Sequence, residues 1–197
     1  MQKLVTVVGA SGVGKTTLVR ALATMGNFST AYEDHTERPF QAFFKRDKQY
    51  ALANQLDYLL LRAEQEKELR SASNIGLMDG GLDLDFHGFT RLFHRRGLLT
   101  DPEYDLCRRF YLHAREFLPA PEFVVALNAP LEVVARRLAL RNRINIASAQ
   151  DAGLMNRFIA EWLESLSSDR VLRVDVTGAE EDYQDVTKVI LQFVSPH

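Results

Sequence analysis

Near its start the chain carries Gly9-Ala10-Ser11-Gly12-Val13-Gly14-Lys15-Thr16, which fits the phosphate-binding pattern G-x-x-x-x-G-K-[ST]. Glycines at this spacing let backbone N–H groups turn inward onto phosphate oxygens, and a helix that starts behind them favours negative charge. Lys15 is expected to reach the β- and γ-phosphates of a nucleotide, and Thr16 to place its hydroxyl on Mg²⁺. With Thr17, the residues from Gly9 onward form the candidate nucleotide-binding set. Asp79 closes a third apolar segment, Ile75-Gly76-Leu77-Met78. In open α/β sheets ligands bind at that edge, so Asp79 is the candidate acid for the metal or its waters; a turn aspartate before Gly80-Gly81 is the alternative.

Phosphoryl transfer also needs cations over the moving group and a base for the acceptor. Arg137, Arg141 and Arg143 fall in Arg137-Leu138-Ala139-Leu140-Arg141-Asn142-Arg143. Arg137 and Arg141 are one helical turn apart and share a face, as in a lid that closes over a nucleotide and excludes water. A solvated basic helix end that complements the macrodipole shows the same pattern. The stretch Tyr32-Glu33-Asp34-His35-Thr36-Glu37 supplies carboxylates; Glu33 is the candidate base, with Asp34 and Glu37 as rivals or plain surface acids. Gln55 and Arg62 lie two turns apart along one helix side. A glutamine there can pair with a base edge and an arginine can orient Asp85, or the pair is a polar stripe facing water.

These groups need elements to hold them. Leu4-Val5-Thr6-Val7-Val8 reads as a buried strand, and residues 16–25 as the helix after the loop. Further strands are expected at 28–33, 75–79, 123–127 and 171–175, and helices at 50–70, 104–117, 131–140, 154–166 and 183–193. Alternating strands and helices predict an α/β fold with a mainly parallel sheet. We find no repeat or linker and expect one domain over residues 1–197. Phe86, Phe89 and Phe93, at helical spacing, read as core or pocket wall.

The composition narrows the classes. The 197 residues are 46% hydrophobic and 25% charged, with a formal net charge of −2, which speaks against a nucleic-acid polymer as partner. A single cysteine, Cys107, rules out an intrachain disulfide and a Cys-rich zinc site. No basic leader with an apolar stretch opens the chain, and no apolar run approaches the roughly 20 residues of a membrane span. A cytoplasmic protein without membrane attachment is expected. The guanine-reading N-K-x-D segment of GTP switches is absent, and the leading class is a small phosphotransferase.

The segments G-A-S-G-V-G-K-T, Y-E-D-H-T-E-R-P-F, Q-L-D-Y-L-L-L-R-A-E-Q, M-D-G-G-L-D-L-D and R-L-A-L-R-N-R together resemble the deoxynucleoside kinase family over nearly the whole chain. The resemblance implies a P-loop nucleoside/nucleotide kinase fold with a five-stranded parallel sheet, helices on both faces and a lid at about residues 137–150. It implies ATP- and Mg²⁺-dependent phosphorylation of the 5′-hydroxyl of a deoxynucleoside or related compound, by a homodimer acting on a small molecule. Glu33 matches the family's base, Gln55 the base-pairing residue, Arg62 and Asp85 the pair that tunes base choice, and Arg137, Arg141 and Arg143 the lid arginines. The turn after the last strand, residues 175–178, is implied to lie near the adenine.

Three departures from the family pattern stand out. Gly80-Gly81 replaces Arg-Ser after the strand-end acid, with Arg38 and Arg91 as candidate replacement cations. Phe44 stands where the family places a sugar-binding tyrosine, and Ile146 where it places a lid glutamate. A nucleoside monophosphate kinase shares the sheet and lid, but its phosphate acceptor calls for cations in place of Glu33. A nucleotide-binding regulatory protein with little catalysis is the reading from another class.

Overall fold

The computed structural model describes residues 1–32, 37–139, 149–178 and 183–195. The architecture grows from one strand. Every residue of β1 (Leu4–Val8) is buried, as in a strand covered on both faces. Val5 and Val7 join one apolar cluster while Leu4 and Val8 join others, the two-residue alternation of a pleated strand. The chain continues as α1 (Lys15–Met25), β2 (Phe28–Ala31), α2 (Pro39–Arg46), α3 (Ala51–Ser71) and β3 (Ile75–Asp79). Next come α4 (Leu82–Leu84), a π-helical turn over Asp85–Thr90, α5 (Arg91–Arg95) and α6 (Asp101–Phe117). It ends with β4 (Phe123–Asn128), α7 (Leu131–Ala139), α8 (Ala149–Glu164), β5 (Val171–Asp175) and α9 (Gln184–Val194).

The five strands form one parallel sheet in the order β2-β3-β1-β4-β5, the α/β sheet with helices expected from the sequence. β1 is central: the chain first builds outward on the β3 side, then crosses to the β4 side. This reversal opens a crevice at the carboxyl ends of the strands, where Val8, Ala31, Asp79 and Asn128 end their strands. On one face Val5, Val7 and Val125 pack with Leu18, Val19 and Leu22 of α1 and Ile190 and Val194 of α9. On the other, Val8, Val124 and Ala126 pack with Met155, Phe158, Ile159 and Trp162 of α8. A third cluster, with Phe44, Leu59, Phe86, Phe93 and Cys107, holds α2, α3, the π-turn, α5 and α6 together.

The differences from the sequence reading are local. Helix α6 begins at Asp101, with a proline in its first turn, where the missing N–H has no helical partner to lose. Helix α8 begins at Ala149. Helix α2 and the run α4–α5 are additional. Helix α2 buries only Phe44, so packing on α3 holds it rather than a periodic apolar face of its own. Within Asp85–Thr90 the π-turn widens the helix, and the Thr90 hydroxyl donates to the Asp85 carbonyl at 3.0 Å. At Gly88 a Cβ would stand 2.7 Å from Met155 Sδ, so the missing side chain lets α8 close on this turn.

Leu22 is fully buried between the sheet and α9. Leu22→Ala is expected to destabilise the fold by about 2–5 kcal/mol, read as a fall in the urea midpoint at unchanged slope.

Candidate functional site

The phosphate loop joins β1 to α1, and its glycines hold backbone conformations that L side chains rarely adopt. Gly9, Gly12 and Gly14 have φ of 148°, 88° and 113°. A Cβ on Gly9 would lie 2.8 Å from the Leu127 carbonyl oxygen, and one on Gly14 only 2.2 Å from the Tyr183 hydroxyl. Lys15 and Thr16 open the helix and are both buried. The Lys15 ammonium donates across the loop to the Gly9 and Ala10 carbonyls at 3.1 and 3.2 Å. The Thr16 hydroxyl donates to Asp79 Oδ2 at 2.6 Å. Asp79 is fully buried, and its Oδ1 has no hydrogen-bond partner. Among the described residues no group of three or more His, Cys, Asp or Glu could hold a metal ion. Mg²⁺ keeps several waters and phosphate ligands and needs only one or two protein oxygens. The Thr16 hydroxyl and the orphaned Asp79 oxygen fit that requirement.

Asp79 leads into a turn that only glycine adopts comfortably. Gly80 and Gly81 have φ of 83° and 131°, left-handed backbone in which an L side chain is strained. An Arg-Ser pair would therefore be strained in this turn. The Gly80 amide donates to the Val7 carbonyl at 2.9 Å, and the Leu82 amide to Glu66 Oε1 at 3.2 Å. Glu66 is fully buried on α3. Arg115 of α6 holds it from two sides, Nη1 to Oε2 at 2.7 Å and Nη2 to Oε1 at 3.0 Å. The same guanidinium reaches Asp83 at 3.0 and 3.1 Å, which also accepts from the Tyr111 hydroxyl at 2.7 Å.

Burial raises the Glu66 pKa above the ordinary 4.5, against the pull of Arg115. Burial works against the Arg115 charge, but Asp83 and Glu66 outweigh it and its pKa rises. His87 completes the network: its Nε2 lies 3.2 Å from the Tyr111 hydroxyl and its ring stacks on Trp162 at 5.5 Å. Burial pushes its pKa down to about 4, with Asp83 opposing.

Beside this turn a cavity is lined by Asn54, Gln55, Tyr58 and Arg62 of α3 together with Asp85, Phe89 and Phe93. Gln55 and Arg62 are 2% and 3% exposed, so their side of the helix faces the cavity and not water. Arg62 Nε pairs with Asp85 Oδ2 at 2.8 Å, and its Nη1 donates to Gln65 Oε1 at 3.0 Å. Gln55 Nε2 donates to the Asp85 carbonyl at 3.4 Å. A Cβ on Gly80 would meet Arg62 Nη2 at 3.5 Å, so this guanidinium spans from Asp85 to the turn after Asp79. Arg38 is held by Asp57 through two bonds of 2.6 Å, and Arg91 pairs with Glu161 over the Phe158 ring. Phe44 stacks on Phe93 at 5.2 Å, with the Lys48 ammonium 4.1 Å above its ring.

On the far side of the loop Arg137 donates to the Val13 carbonyl at 2.8 Å and the Val176 carbonyl at 2.9 Å. It ties α7 to the phosphate loop and to the turn after β5, where Asp175 accepts from the Thr177 amide at 2.8 Å. Glu33, Asp34, Arg141, Arg143 and Ile146 lie outside the described residues. The structure thus brings together the loop, Asp79, Gln55, Arg62 and Asp85. The sequence reading did not find Asn54, Glu66, Tyr111 or Arg115. One signal was available: Gln55, Arg62, Glu66 and Arg70 recur at helical spacing on α3, interrupted by Leu59 and Leu69, and all of them are buried.

A family model described as deoxynucleoside kinase matches residues 5–195. Deoxyadenosine kinase of Dictyostelium discoideum is 29% identical over 136 residues, which is 68% of this chain and 55% of that protein. The match thus spans about half the length of that relative. The deoxyadenosine/deoxycytidine kinase of Bacillus subtilis (strain 168) is 24% identical over 186 residues, covering 91% of this chain and 83% of that one. A solved structure of deoxyadenosine kinase from M. mycoides with bound dATP superposes with a TM-score of 0.78 at 18% identity, covering 95% of this chain and 98% of that one. A second, with the products dCMP and a flexible dCDP, gives 0.76 at 17%, covering 96% and 97%. At such identities the likeness is one of fold.

The buried network carries its own pH signature. Between His87's ordinary 6.5 and its value of about 4 in the fold, the unfolded chain binds a proton that the folded one does not. Its contribution is complete above pH 6.5 and lost as pH falls toward 4, with a slope of at most about 1.4 kcal/mol per pH unit. Glu66, raised, acts with the opposite sign: its contribution is complete below 4.5 and lost as pH rises through the raised value. Urea unfolding of His87→Gln against the wild type, at pH 7.5, 6 and 5, should show a shallower loss on acidification in the variant.

Proposed function

The chain belongs to the deoxynucleoside kinase family, and on that premise we propose that it transfers the γ-phosphoryl group of ATP to the 5′-hydroxyl of a deoxynucleoside. One observation carries this reading. Asp79, hydrogen-bonded to Thr16 of the phosphate loop, is followed directly by Gly80, over which Arg62 lies from the Gln55–Asp85 cavity. A phosphate-holding half and a cavity lined by Gln55, Arg62, Asp85 and Phe89 therefore meet within one residue of chain. A donor and an acceptor bound in them have their reacting ends at the carboxyl edge of β1 and β3, the proximity that phosphoryl transfer needs.

The reading divides the roles as follows. Backbone N–H groups of Gly9–Thr17 cradle the donor phosphates, and Lys15 moves from the Gly9 and Ala10 carbonyls onto the phosphates. Thr16 and Asp79 hold Mg²⁺. When bound, Mg²⁺ neutralises the charge on the phosphate oxygens. The acceptor base lies between Gln55 and the Phe89 ring, with the Arg62–Asp85 pair at its edge. Breaking that pair leaves a buried charge uncompensated, so it sets position more than stability.

Glu33 takes the proton of the attacking hydroxyl: it follows β2, whose Ala31 is paired with Met78 next to Asp79. Arg137 anchors the base of the lid to the loop, and Arg141 and Arg143 close over the transferring group. An alcohol acceptor separates this reading from a nucleoside monophosphate kinase.

The protein acts as a homodimer without membrane attachment, in the cytoplasm. No described helix is long and apolar enough to cross a membrane. Leu60 on α3 and Leu106, Leu112 and Phe117 on α6 are exposed apolar side chains on two helices that pack together, which supports an association surface there.

With ATP and Mg²⁺, a panel of nucleosides should yield 5′-monophosphates. Glu33→Gln should lower kcat about 10²–10⁴-fold with little change in KM; near-normal turnover would remove the base role. In sedimentation the wild type should run as a dimer, and Leu60→Glu combined with Leu112→Glu as a monomer.

A further inference from the structure

A second cavity, of about 330 Å³, opens between α8 and the carboxyl ends of β4 and β5. Sheet register decides what faces it. Ala126 and Asn128 of β4 pair with Arg173 and Asp175 of the edge strand β5, and side chains directly opposite each other share one face of a sheet. Ala126 packs in the cluster under α8, so Arg173 and Asp175 project on the α8 side as well. The space exists because small residues, Ala126 and Ala160, line it. Asp175 is engaged by the Thr177 amide and hydroxyl. Arg173 has no hydrogen bond or ion pair among the described residues, and neither have the side chains of Asn128 and Asn156, which line the same cavity. A guanidinium is always charged, and its planar fork matches a carboxylate or a phosphate. Ile159 and Leu163 supply an apolar wall beside it, the mixture of apolar surface and a few polar groups typical of small-molecule sites.

The cavity also touches the phosphate loop from behind. Gly9 and Leu127 both line it. A Cβ on Gly9 would stand 2.8 Å from the Leu127 carbonyl oxygen and 2.9 Å from Val13 Cγ1, so Gly9 is wedged without slack. Arg137 and Tyr183 meet the loop from elsewhere, within the cluster that holds α1 and α9 to the other face of the sheet. We propose that this cavity is an effector site for a small organic anion. Its carboxylate or phosphate sits on Arg173, its polar edge on Asn128 and Asn156, and its apolar body against Ile159 and Leu163. An occupant braces Gly9 from the α8 side and steadies the loop, so that ATP binds more tightly. By linkage ATP strengthens the anion's binding by the same factor. The effect on ATP rests on the reading of the loop as the donor site; the binding of the anion does not.

The test uses benzoate and phenyl phosphate as probes, titrated by calorimetry into the wild type, Arg173→Gln and Ala160→Phe. One or both probes should bind the wild type, and which of them does identifies the charged head. Arg173→Gln, at an exposed position, should weaken binding about tenfold or more, and Ala160→Phe should abolish it by filling the cavity. ATP affinity, measured with and without saturating probe, should rise about fivefold in the wild type and stay unchanged in Arg173→Gln. Neither probe binding the wild type overturns the site. Equal binding by wild type and Arg173→Gln overturns it too, since a probe on the phosphate loop would give that result. Binding that Arg173→Gln removes, with ATP affinity unmoved by the probe, overturns the link to the loop. Absence of nucleoside phosphorylation overturns the kinase reading and leaves both binding measurements readable.

Discussion

The site depends on the turn at Asp79-Gly80-Gly81. It must release Asp79 toward the phosphate loop and then start α4 almost at once, which requires two consecutive left-handed residues. Glycine alone does this without strain. The turn is fixed on one side by the Val7 carbonyl of the central strand and on the other by Glu66, itself gripped by Arg115. A buried carboxylate is expensive to keep charged, and here it accepts from a guanidinium and a backbone amide. The network thus converts the position of helices α3 and α6 into the position of the strand-end acid.

Helix α3 does opposite jobs along its length. Near its start Asn54, Gln55 and Arg62 face a cavity; farther on Glu66 and Arg70 are locked into ion pairs with Arg115 and Glu122. Buried polar side chains at this density are weak contributors to stability. What they contribute is direction, because each has few ways to satisfy its hydrogen bonds. The π-turn at Asp85–Thr90 serves the same end. By widening the helix it exposes the Asp85 carbonyl to Gln55 and Thr90, while the Asp85 carboxylate stays on Arg62. Extra residues of this kind are common at functional sites.

The phosphate loop is bound into the rest of the molecule by backbone contacts. Gly9 lies against the Leu127 carbonyl, Gly14 against the Tyr183 hydroxyl, and the Val13 carbonyl accepts from Arg137. Arg137 therefore senses the loop and the turn after β5 together. A shift in α7 is felt at both through one guanidinium.

Much of this was legible in the residues. The loop pattern, the buried strands, the acid closing β3 and the two-turn spacing of Gln55 and Arg62 are local properties, set by period and residue type. The sequence alone left open whether the Gln55–Arg62 stripe meets water or a pocket. Helical spacing sets the angle between side chains but not which side the rest of the protein covers. Glu66 of α3, Asp83 of α4, and Tyr111 and Arg115 of α6 come from three different elements, and Arg137 takes carbonyls 124 and 39 residues away in the chain. Their partners are chosen by packing, since a buried charge or amide oxygen must pair with whatever the folded interior brings within about 3 Å. The sequence by itself thus determined the chemistry that is available and the elements that carry it. Only the tertiary structure decided which of those groups face one another across the cavity, because that pairing is a property of the closed interior.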